Sequence, residues 1–441
     1  CHGAVAYEIA TGNVEGFWAR NGVILATGGL GQAFDHTTNA VANTGDGCAM
    51  AYRAGVPMED MEMIQFHPTT LPSTGVLISE GVRGEGGILY NDEEERFMFE
   101  HGYANNDGEL ASRDVVSRAE LDEVNAGRGI EDEYVDLDMR HLGEERILDR
   151  LENILHLAED FEGVDGLDEP MPVKPGQHYA MGGVETDENG ETCIDGLYAA
   201  GETACVSLHG ANRLGGNALP ELLVFGARAG HHAAGKDMKT AEIQTGPSAK
   251  SEDGDVAPPV EPGAIEAGGE GDVAADGAMV EPKETLEHTV QQEQDRIETL
   301  LEDDGINHAE VRSNVQESMT ENVNVFREES ALEDALRDLR HARERYEDVA
   351  VADPSRTYNT DLIHTIETRN ILDVAEAITL GALAREEFRG AHWRKEFQER
   401  RDEEWIKHTM LAWNDGTPEL YYKPVELESQ WKEYEPKERS Y

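Results

Sequence analysis

The chain has 441 residues, with 37 Lys and Arg against 91 Asp and Glu, which gives a formal net charge of −54. This length allows roughly two to three domains with a large buried core. The acidic excess argues against a nucleic-acid-binding protein, because that affinity depends on basic side chains that neutralise phosphates. No apolar run reaches the ~18 residues of a membrane-spanning helix.

The acidic residues are spread over the whole chain, while 39% of the residues are hydrophobic. That apolar content is enough for a globular core, which distinguishes the chain from a disordered acidic protein. In concentrated salt the repulsion between surface charges is screened, and excess negative charge then favours solubility. The composition therefore predicts a halophile-type surface, with a specific cationic partner as the alternative.

The four cysteines form no Cys-x-x-Cys pair, so a zinc ribbon or an iron–sulfur cluster within the chain is not expected. No metal site is predicted. No disulfide pattern is visible either, which favours a reducing compartment. We expect all four to be small buried apolar side chains; they are Cys1, Cys48, Cys193 and Cys205.

The first segment, residues 1–61, is rich in Gly and Ala and contains the strand-like run GVILA at 22–26. The run ends in ATGG at 26–29, where the backbone can approach a flat or phosphorylated ligand, although a tight turn needs the same glycines. Asp46 lies at the start of a predicted helix, where it either faces an anion or ribose or caps the helix. Because the pattern is already under way at the first residue, we expect a chain that lacks its N-terminal part.

The second segment, residues 62–177, carries more charge. The string QFHPT places His67 beside a proline-rigidified turn, and SEGVRGEGG at 79–87 packs a hydroxyl, two carboxylates and a guanidinium among glycines. Such a loop suits a small polar ligand. Arg113 and Arg118 are five residues apart and would point to different faces of a helix, so only one of them could enter a given pocket.

The third segment, residues 178–235, returns to Gly and Ala and contains a second strand break, GLYAAG at 196–201. A single His or Arg in a loop is usually structural or solvated. Here three His and two Arg recur in glycine-rich loops, which predicts a pocket for a small dianion, because Arg binds one carboxylate in bidentate fashion and His donates to the other. These residues are His67, His178, His209, Arg113 and Arg213.

The remaining sequence predicts a linker and a helical region. Residues 246–280 contain no aromatic side chain and many Gly, Pro and acidic residues, which is typical of a flexible segment. Apolar residues then recur with a helical period at 286–301, 331–339 and 371–388, which predicts a small antiparallel bundle. The tail, 405–441, mixes aromatic residues with short strand-like pieces.

These motifs stand in the order in which they occur in the flavoprotein subunits of succinate dehydrogenase and fumarate reductase, and most of the chain resembles that family. The eight main strings are ATGG at 26–29, TGDG at 44–47, QFHPT at 65–69, SEGVRGEGG at 79–87, SRDVV at 112–116, HYAMGG at 178–183, GLYAAGE at 196–202 and HGANRLGGN at 209–217. Near the end, FRGAH at 388–392, RDEEWIKH at 401–408 and YKP at 422–424 extend the resemblance.

The resemblance implies an α/β, Rossmann-like FAD-binding domain with an inserted α+β capping domain, followed by an α-helical bundle domain and a small C-terminal domain. The expected boundaries are 1–61 and 178–245 for the FAD-binding domain, 62–177 for the capping domain, 246–282 for a flexible linker, 283–400 for the helical domain and 401–441 for the C-terminal domain.

The resemblance also implies roles for individual residues. Arg113 would transfer the proton, with Glu80 and Arg83 as relays; because arginine holds its protons tightly, the alternative is that Arg113 only stabilises charge in the transition state. The substrate would be held by His67, Ser79, His178 and Arg213, with Ser79 in place of the usual Thr. FAD would contact Ala26, Thr27, Gly28, Gly29, Asp46, Glu202, Ala218 and Leu219, with Ala218 in place of the usual Ser.

The implied activity is that of the flavoprotein subunit of succinate:quinone oxidoreductase, which oxidises succinate to fumarate by hydride transfer to FAD. The implied partners are an iron–sulfur subunit and membrane-anchor subunits, with this chain peripheral on the cytoplasmic face of the membrane. Family members link FAD covalently to a histidine that we expect to lie outside this sequence. Fumarate reduction would use the same residues, so the direction stays open.

Two other functions compete with this one. An L-aspartate oxidase shares the fold, but it usually has Ala-Ser where this chain has Gly215 and Gly216. A non-catalytic acidic scaffold gives no reason for His and Arg to recur in glycine-rich loops.

Overall fold

The structure is a computed structural model that describes residues 1–235, 282–302, 305–414, 416–428 and 434–436. The expected linker, 246–282, lies outside these ranges except for Pro282, which begins a helix. Within the described ranges, no helix is both long and apolar enough to cross a membrane.

The N-terminal part supplies a hairpin, a short strand and one helix. Its elements are β1 (Gly3–Glu8), β2 (Asn13–Trp18), β3 (Val23–Leu25), α1 (Asp46–Arg53) and β4 (Met58–Glu59). The residue that caps α1 is Gly45, whose φ of 75° is left-handed and costs glycine little. Asp46 is therefore the first residue inside the helix, and the capping interpretation is wrong.

A four-stranded antiparallel sheet with helices forms the proposed capping domain. Its elements are β5 (Ile64–Thr70), α2 (Gly81–Glu85), β6 (Ile88–Tyr90), α3 (Phe97–Glu100), α4 (Arg113–Glu123), β7 (Val135–Asp138), α5 (Glu144–Arg150), α6 (Glu152–Glu162) and β8 (Met171–Ala180). The strand order is β5-β8-β7-β6. Val116 of α4 packs with Leu137 and Val173 of the sheet in a separate apolar core. This core fixes α4 against the sheet and thereby fixes the position of Arg113 at its start.

The chain then returns to the first part through β9 (Gly183–Glu185), β10 (Leu197–Ala199), β11 (Ala204–Cys205) and α7 (Ala218–Ala233). β10 pairs in parallel with β3, with Ala199 opposite Leu25. The two Gly-rich breaks predicted from the sequence therefore lie side by side, because the carboxyl ends of parallel strands meet at one edge of a sheet.

Four long helices follow: α8 (Pro282–Glu302), α9 (His308–Asn322), α10 (Glu329–Tyr346) and α11 (Thr360–Ala384). Two of them start at asparagine caps: the Oδ1 of Asn307 accepts from the N–H of Ala309, and the Oδ1 of Asn359 accepts from the N–H of Leu362. The predicted stripe of α10, including Leu332, is buried. Helices α9, α10 and α11 pack on one another, whereas α8 packs on the β1–β2 hairpin.

The C-terminal part adds two strands to the sheet that contains β4, β9 and β11. α12 (Asp402–Trp405) precedes β12 (Lys407–Asn414) and β13 (Thr417–Pro424), and the sheet order is β11-β9-β4-β12-β13. Fully buried Arg385, just past α11, fixes this junction through Glu62 at 2.6 Å and Glu387 at 3.1 Å. The expected fold class, an α/β domain with an inserted α+β part, a helical bundle and a small C-terminal part, is confirmed.

The prediction that all four cysteines are buried is correct for two of them. All four thiols are free, and Cys48 and Cys205 are buried as predicted. Cys193 is exposed and Cys1 is partly buried. Cys193 lies in the turn between β9 and β10, where an isolated thiol gives no sequence signal for burial or exposure.

Candidate active site

His67 presents a buried imidazole with one free nitrogen. It lies on β5 and is completely buried. The backbone N–H of Thr69 donates to its Nδ1 at 3.2 Å, so a neutral ring carries its proton on Nε2. This Nε2 has no hydrogen-bond partner among the described residues. Burial, and next the charge of Arg113, holds the pKa of His67 well below its usual range, so the ring is a neutral donor awaiting an acceptor.

His178 lies beside His67 because β5 and β8 are paired across an irregularity in their register between Gln65 and Phe66. The two ring centroids are 5.1 Å apart, at an interplanar angle of 66°. The Nδ1 of His178 bonds to the Oγ1 of Thr38 at 2.8 Å. Burial, with the charges of Arg113 and Arg213, lowers the pKa of His178 to about 3. Both imidazoles are thus neutral next to two guanidinium groups.

Arg113 and Arg213 are the two buried cations of the site. The guanidinium of Arg213 lies over the ring of Tyr179, 4.3 Å from its centroid. The Nε of each arginine is buried and has no hydrogen-bond partner within the described ranges. Burial, and next the charge of Arg113, lowers the pKa of Arg213. Two desolvated like charges that repel each other and retain free donors form a site for an anion.

Gln65 connects the segments that carry the two arginines. Its Oε1 accepts from the Nη1 of Arg113 at 3.0 Å, and its Nε2 donates at 2.7 Å to both the carbonyl oxygen of Arg213 and the Oδ1 of Asn212. The Nδ2 of Asn212 in turn donates to Asp114, the residue after Arg113. The structure therefore brings together four of the predicted residues: His67, His178, Arg113 and Arg213.

Arg118 takes no part in this pocket. It pairs with Asp114 at 2.7 Å and lies over the ring of Phe388. The prediction that only one of Arg113 and Arg118 enters the pocket is confirmed. His209 also lies outside the immediate group, because its Nε2 bonds to the hydroxyl of Tyr179 at 3.2 Å.

Glu80 joins Arg113 to Arg83. Its Oε2 accepts from Arg113 at 3.0 Å and its Oε1 accepts from Arg83 at 3.2 Å. Burial alone would raise its pKa, but the hydrogen bond and charge of Arg113, with the charge of Arg83, lower it. The Glu80 side chain is 41% exposed, whereas Arg83 is 1% exposed and donates to the carbonyl oxygen of Glu109. In this chain of groups the contact with solvent is therefore at Glu80.

Ser79 is exposed, just before α2, and its Oγ accepts from the N–H of Gly81 at 3.1 Å. No contact in the described part of the chain joins Ser79 to the two His or the two Arg. Its hydroxyl hydrogen remains available as a donor.

The strand edge formed by β3 and β10 suits a cofactor with a flat ring and a ribose. Ala26 and Thr27 follow β3 and are exposed, and Leu219 at the start of α7, a helix that contacts β3, is 68% exposed. Glu202 approaches the backbone of Gly29 so closely that a Cβ on Gly29 would lie 2.5 Å from its Oε1, and a larger residue there would have to displace the carboxyl group. Burial raises the pKa of Glu202 to about 7. This combination of exposed backbone, one carboxyl group and an apolar side chain fits FAD.

Asp46 is held by neighbours at the start of α1. Its Oδ1 accepts from the Oγ1 of Thr44 and from the Nδ2 of Asn370, both at 2.7 Å. The N–H of Gly47 donates to the Oγ1 of Thr27 at 3.1 Å, which ties this helix start to the strand break after β3.

Sequence reasoning missed Gln65, Tyr179 and Asn212 as parts of the site. Each lies within two residues of a predicted site residue, in the strings QFHPT, HYAMGG and HGANRLGGN. The available signal was a polar side chain inside a strand whose residues are all buried, as at Gln65.

Comparison with known proteins agrees with this geometry. Residues 1–219 match the FAD binding domain family and residues 312–441 match the fumarate reductase flavoprotein C-term family. The fumarate reductase flavoprotein subunit of Mycobacterium tuberculosis (strain ATCC 25618 / H37Rv) is 41% identical over 450 residues, which cover 100% of this chain and 71% of that protein. The mitochondrial succinate dehydrogenase [ubiquinone] flavoprotein subunit of Oryza sativa subsp. japonica is 39% identical, over 100% of this chain and 66% of that one.

Solved structures give the same result. A quinol-fumarate reductase with menaquinol molecules superimposes with a TM-score of 0.83 at 38% identity, over 97% of this chain and 70% of the other. Mycobacterium smegmatis Sdh1 in complex with UQ1 superimposes with a TM-score of 0.73 at 33% identity, over 99% of this chain and 66% of the other. The chain therefore belongs to the FAD-binding flavoprotein subunits of the succinate dehydrogenase and fumarate reductase family.

Proposed function

We propose that this chain interconverts succinate and fumarate, and that its direction in the cell is succinate oxidation within a succinate:quinone oxidoreductase. The observation that carries the proposal is the set of buried donors without partners: Nε2 of His67 and the Nε atoms of Arg113 and Arg213. A four-carbon dicarboxylate offers acceptors at both ends and negative charge for both guanidinium groups. Fumarate reduction is the alternative direction, supported by relatives that carry that name.

The pocket binds the substrate through four side chains. Arg213 holds one carboxylate, and its ring contact with Tyr179 fixes the guanidinium plane. His67 and His178 donate to the other carboxylate as neutral imidazoles, and the hydroxyl of Ser79 is the fourth donor. Because His67 and Arg213 are buried, their hydrogen bonds are stronger than they would be in water.

Arg113 moves the proton at the carbon that loses or gains it. Gln65 and Glu80 fix its guanidinium from two directions, at 3.0 Å each. In the proposed step Arg113 exchanges a proton with the substrate carbon, and Glu80 exchanges that proton with water. Bound FAD supplies the acceptor or donor of the hydride.

We also propose that this chain contacts FAD through the residues that match the FAD contacts of the family. Glu202 and Asp46 face the ribose or adenine side, and the backbone at Ala218 and Leu219 faces the flavin ring. The strand break supplies the remaining contacts, at Ala26, Thr27, Gly28 and Gly29.

The partners also remain proposals. We expect electrons to pass to an iron–sulfur subunit and from there to membrane-anchor subunits, with this chain peripheral on the cytoplasmic face. Structural neighbours solved with menaquinol and with UQ1 support a quinone as the final acceptor. Covalent attachment of FAD to a histidine and a halophile-type surface belong to the same proposal.

The direct test is Arg113→Ala in the FAD-loaded enzyme, with succinate oxidation followed by reduction of a dye. Loss of the proton carrier is expected to lower kcat by about 10³-fold or more, in the range of general acid–base catalysis combined with lost charge stabilisation. Fumarate should still perturb the flavin absorbance, because Arg213 and the two imidazoles remain. Retained turnover would remove Arg113 from proton transfer.

The matched control is Arg118→Ala, five residues along the same helix. Arg118 contacts Asp114 and Phe388 and not the pocket, so its kcat should stay within about threefold of the wild type.

A further inference from the structure

A cluster of metal-ligating side chains that the proposed reaction does not use lies in the sheet β11-β9-β4-β12-β13. Glu59 ends β4 and Asp60 follows it, Cys205 ends β11, and His408 lies on β12. All four are buried, with relative exposures between 2% and 7%. One ligand atom from each of Glu59, Asp60 and Cys205 lies within 4.8 Å of the other two. Three strands therefore place a thiol, an imidazole and two carboxyl groups around one enclosed point.

The contacts within the cluster have the spacing of ligands around one metal ion. Zn²⁺ binds oxygen and nitrogen at about 2.0 Å and sulfur at about 2.3 Å in a tetrahedron, so neighbouring ligand atoms lie about 3.3–3.5 Å apart. The Oε1 of Glu59 lies 3.2 Å from the Nδ1 of His408 and 3.5 Å from the Sγ of Cys205. The Oδ2 of Asp60 lies 2.6 Å from the same Nδ1, at the length of a hydrogen bond. A metal ion that replaces the proton of this bond would move the two atoms apart by about 0.7 Å.

The other oxygen of each carboxyl group is held by a neighbour outside the cluster. The Nζ of Lys423 donates to the Oε2 of Glu59 at 3.0 Å, and the N–H of Thr409 donates to the Oδ1 of Asp60 at 3.0 Å. Contacts of this kind orient the ligands of metal sites. Two carboxylates and a thiolate carry one negative charge more than a divalent ion balances, and the ammonium group of Lys423 offsets this excess.

The chemistry of the side chains selects the class of ion. A thiolate and an imidazole favour a divalent transition-metal ion such as Zn²⁺, whereas Mg²⁺ and Ca²⁺ prefer a shell of oxygen ligands. The cluster is also accessible, because Asp60 and His408 line a cavity of about 970 Å³ that borders the exposed residue Ser207. Binding requires a thiolate and a neutral imidazole, so the protons that these groups carry are released to solvent.

We propose that Glu59, Asp60, Cys205 and His408 bind one divalent transition-metal ion of the Zn²⁺ class as a structural site. Four protein ligands complete a tetrahedron and leave no open position for a substrate, which is typical of structural zinc. The ion would join β4 and β11 to β12 of the C-terminal part, across the 348 positions of sequence between Asp60 and His408. Ligands this far apart form no spacing motif, so the sequence alone does not indicate the site. The inference does not depend on the proposed function.

The experiment is a Co²⁺ titration of the metal-free, FAD-loaded protein, followed by difference absorbance in molar KCl. Co²⁺ replaces Zn²⁺ as a coloured probe: a thiolate ligand gives a near-ultraviolet charge-transfer band, and tetrahedral coordination gives intense bands in the red, where oxidised flavin does not absorb. The high salt screens the acidic surface, which would otherwise attract cations without a specific site. Both features should saturate at one equivalent of Co²⁺ and disappear when one equivalent of Zn²⁺ is added. A wild type that shows only weak octahedral bands and no thiolate band would overturn the proposal.

Variants assign the spectrum to the cluster. Cys205→Ser should abolish the thiolate band and weaken Zn²⁺ binding by about 100-fold or more, because loss of even a contact that only orients a ligand costs about 10- to 100-fold. The matched controls are Cys48→Ser, which removes an equally buried thiol that contacts Thr203, and Cys193→Ser, which removes an exposed one; both should keep the band and the affinity. If Cys205→Ser does not fold, His408→Gln should alter the red bands and weaken Zn²⁺ binding by a similar factor. A band that survives Cys205→Ser, a band that is lost in either control, or an unchanged Zn²⁺ affinity in His408→Gln would refute the site.

Discussion

Gln65 fixes the position of Arg113 relative to the loop that carries Arg213, and replacing Gln65 tests this role. Replacing it by Met keeps the length of the side chain and removes three hydrogen bonds: one from Arg113 at 3.0 Å, and one each to Asn212 and to the carbonyl of Arg213 at 2.7 Å. A hydrogen bond to a charged group contributes about 1.5–3 kcal/mol, which corresponds to about 10- to 150-fold in rate. We therefore expect kcat/KM of Gln65→Met for succinate to fall by about that factor, mostly through kcat.

The assay is steady-state succinate oxidation, with Gln177→Met as the matched control. Gln177 is an equally buried amide on the adjacent strand, but its Oε1 accepts from Thr37 rather than from an arginine. Its variant should lose stability and keep kcat/KM within about threefold. If Gln65→Met retained wild-type kcat/KM while Arg113→Ala abolished turnover, the idea that Gln65 positions Arg113 would be refuted.

Three further predictions concern stability and reactivity. Arg385→Met leaves the buried carboxylate of Glu62 without its ion-pair partner, whereas Glu387 keeps Arg389. The variant should lower the free energy of urea unfolding by about 3–5 kcal/mol, and Glu62→Gln in the same chain should partly restore this loss. An unchanged unfolding midpoint would contradict this. Burial lowers the pKa of His178 in the folded state to about 3. The contribution of the neutral imidazole to stability is therefore complete above the unfolded-state pKa of ~6.5 and is lost as the pH falls toward 3. Between about pH 7 and pH 4, His178→Asn should lose less unfolding free energy than the wild type, and equal losses would contradict the lowered pKa. Iodoacetamide should alkylate exposed Cys193 in the native protein and spare Cys48, because burial raises the pKa of the Cys48 thiol to about 11. Mass spectrometry of the digested protein would measure the labelling of each cysteine. Labelling of Cys48 as early as Cys193 would contradict this prediction.

Local sequence patterns predicted those parts of the fold that depend on local rules. The strand breaks after β3 and β10 were visible as apolar runs ending in glycines, and parallel pairing then placed them at one edge. The stripe of α10 was visible as a helical period. The predicted helix at 371–388 begins earlier, at Thr360, and ends at Ala384. Arg385 leaves the helix to reach Glu62, a partner more than 300 residues away that no local pattern reveals.

In the candidate site, too, the sequence predicts some residues, and only the three-dimensional packing reveals the others. His67, His178, Arg113 and Arg213 were predicted because cationic and imidazole side chains in glycine-rich loops have few structural uses. The supporting contacts depend on three-dimensional packing: Gln65 reaches Asn212 across 147 positions of sequence.

The most direct test of the central claim is an equilibrium titration of the FAD-loaded enzyme, followed by flavin absorbance, with fumarate and with its monocarboxylate analogue crotonate. If His67, His178, Arg113 and Arg213 hold a four-carbon dicarboxylate, fumarate should bind to the wild type, and crotonate should bind about 10- to 150-fold more weakly, because one charged set of hydrogen bonds is lost. Arg213→Ala should weaken fumarate to about the level of crotonate. Equal affinities for the two ligands, or undiminished fumarate binding by Arg213→Ala, would contradict the account.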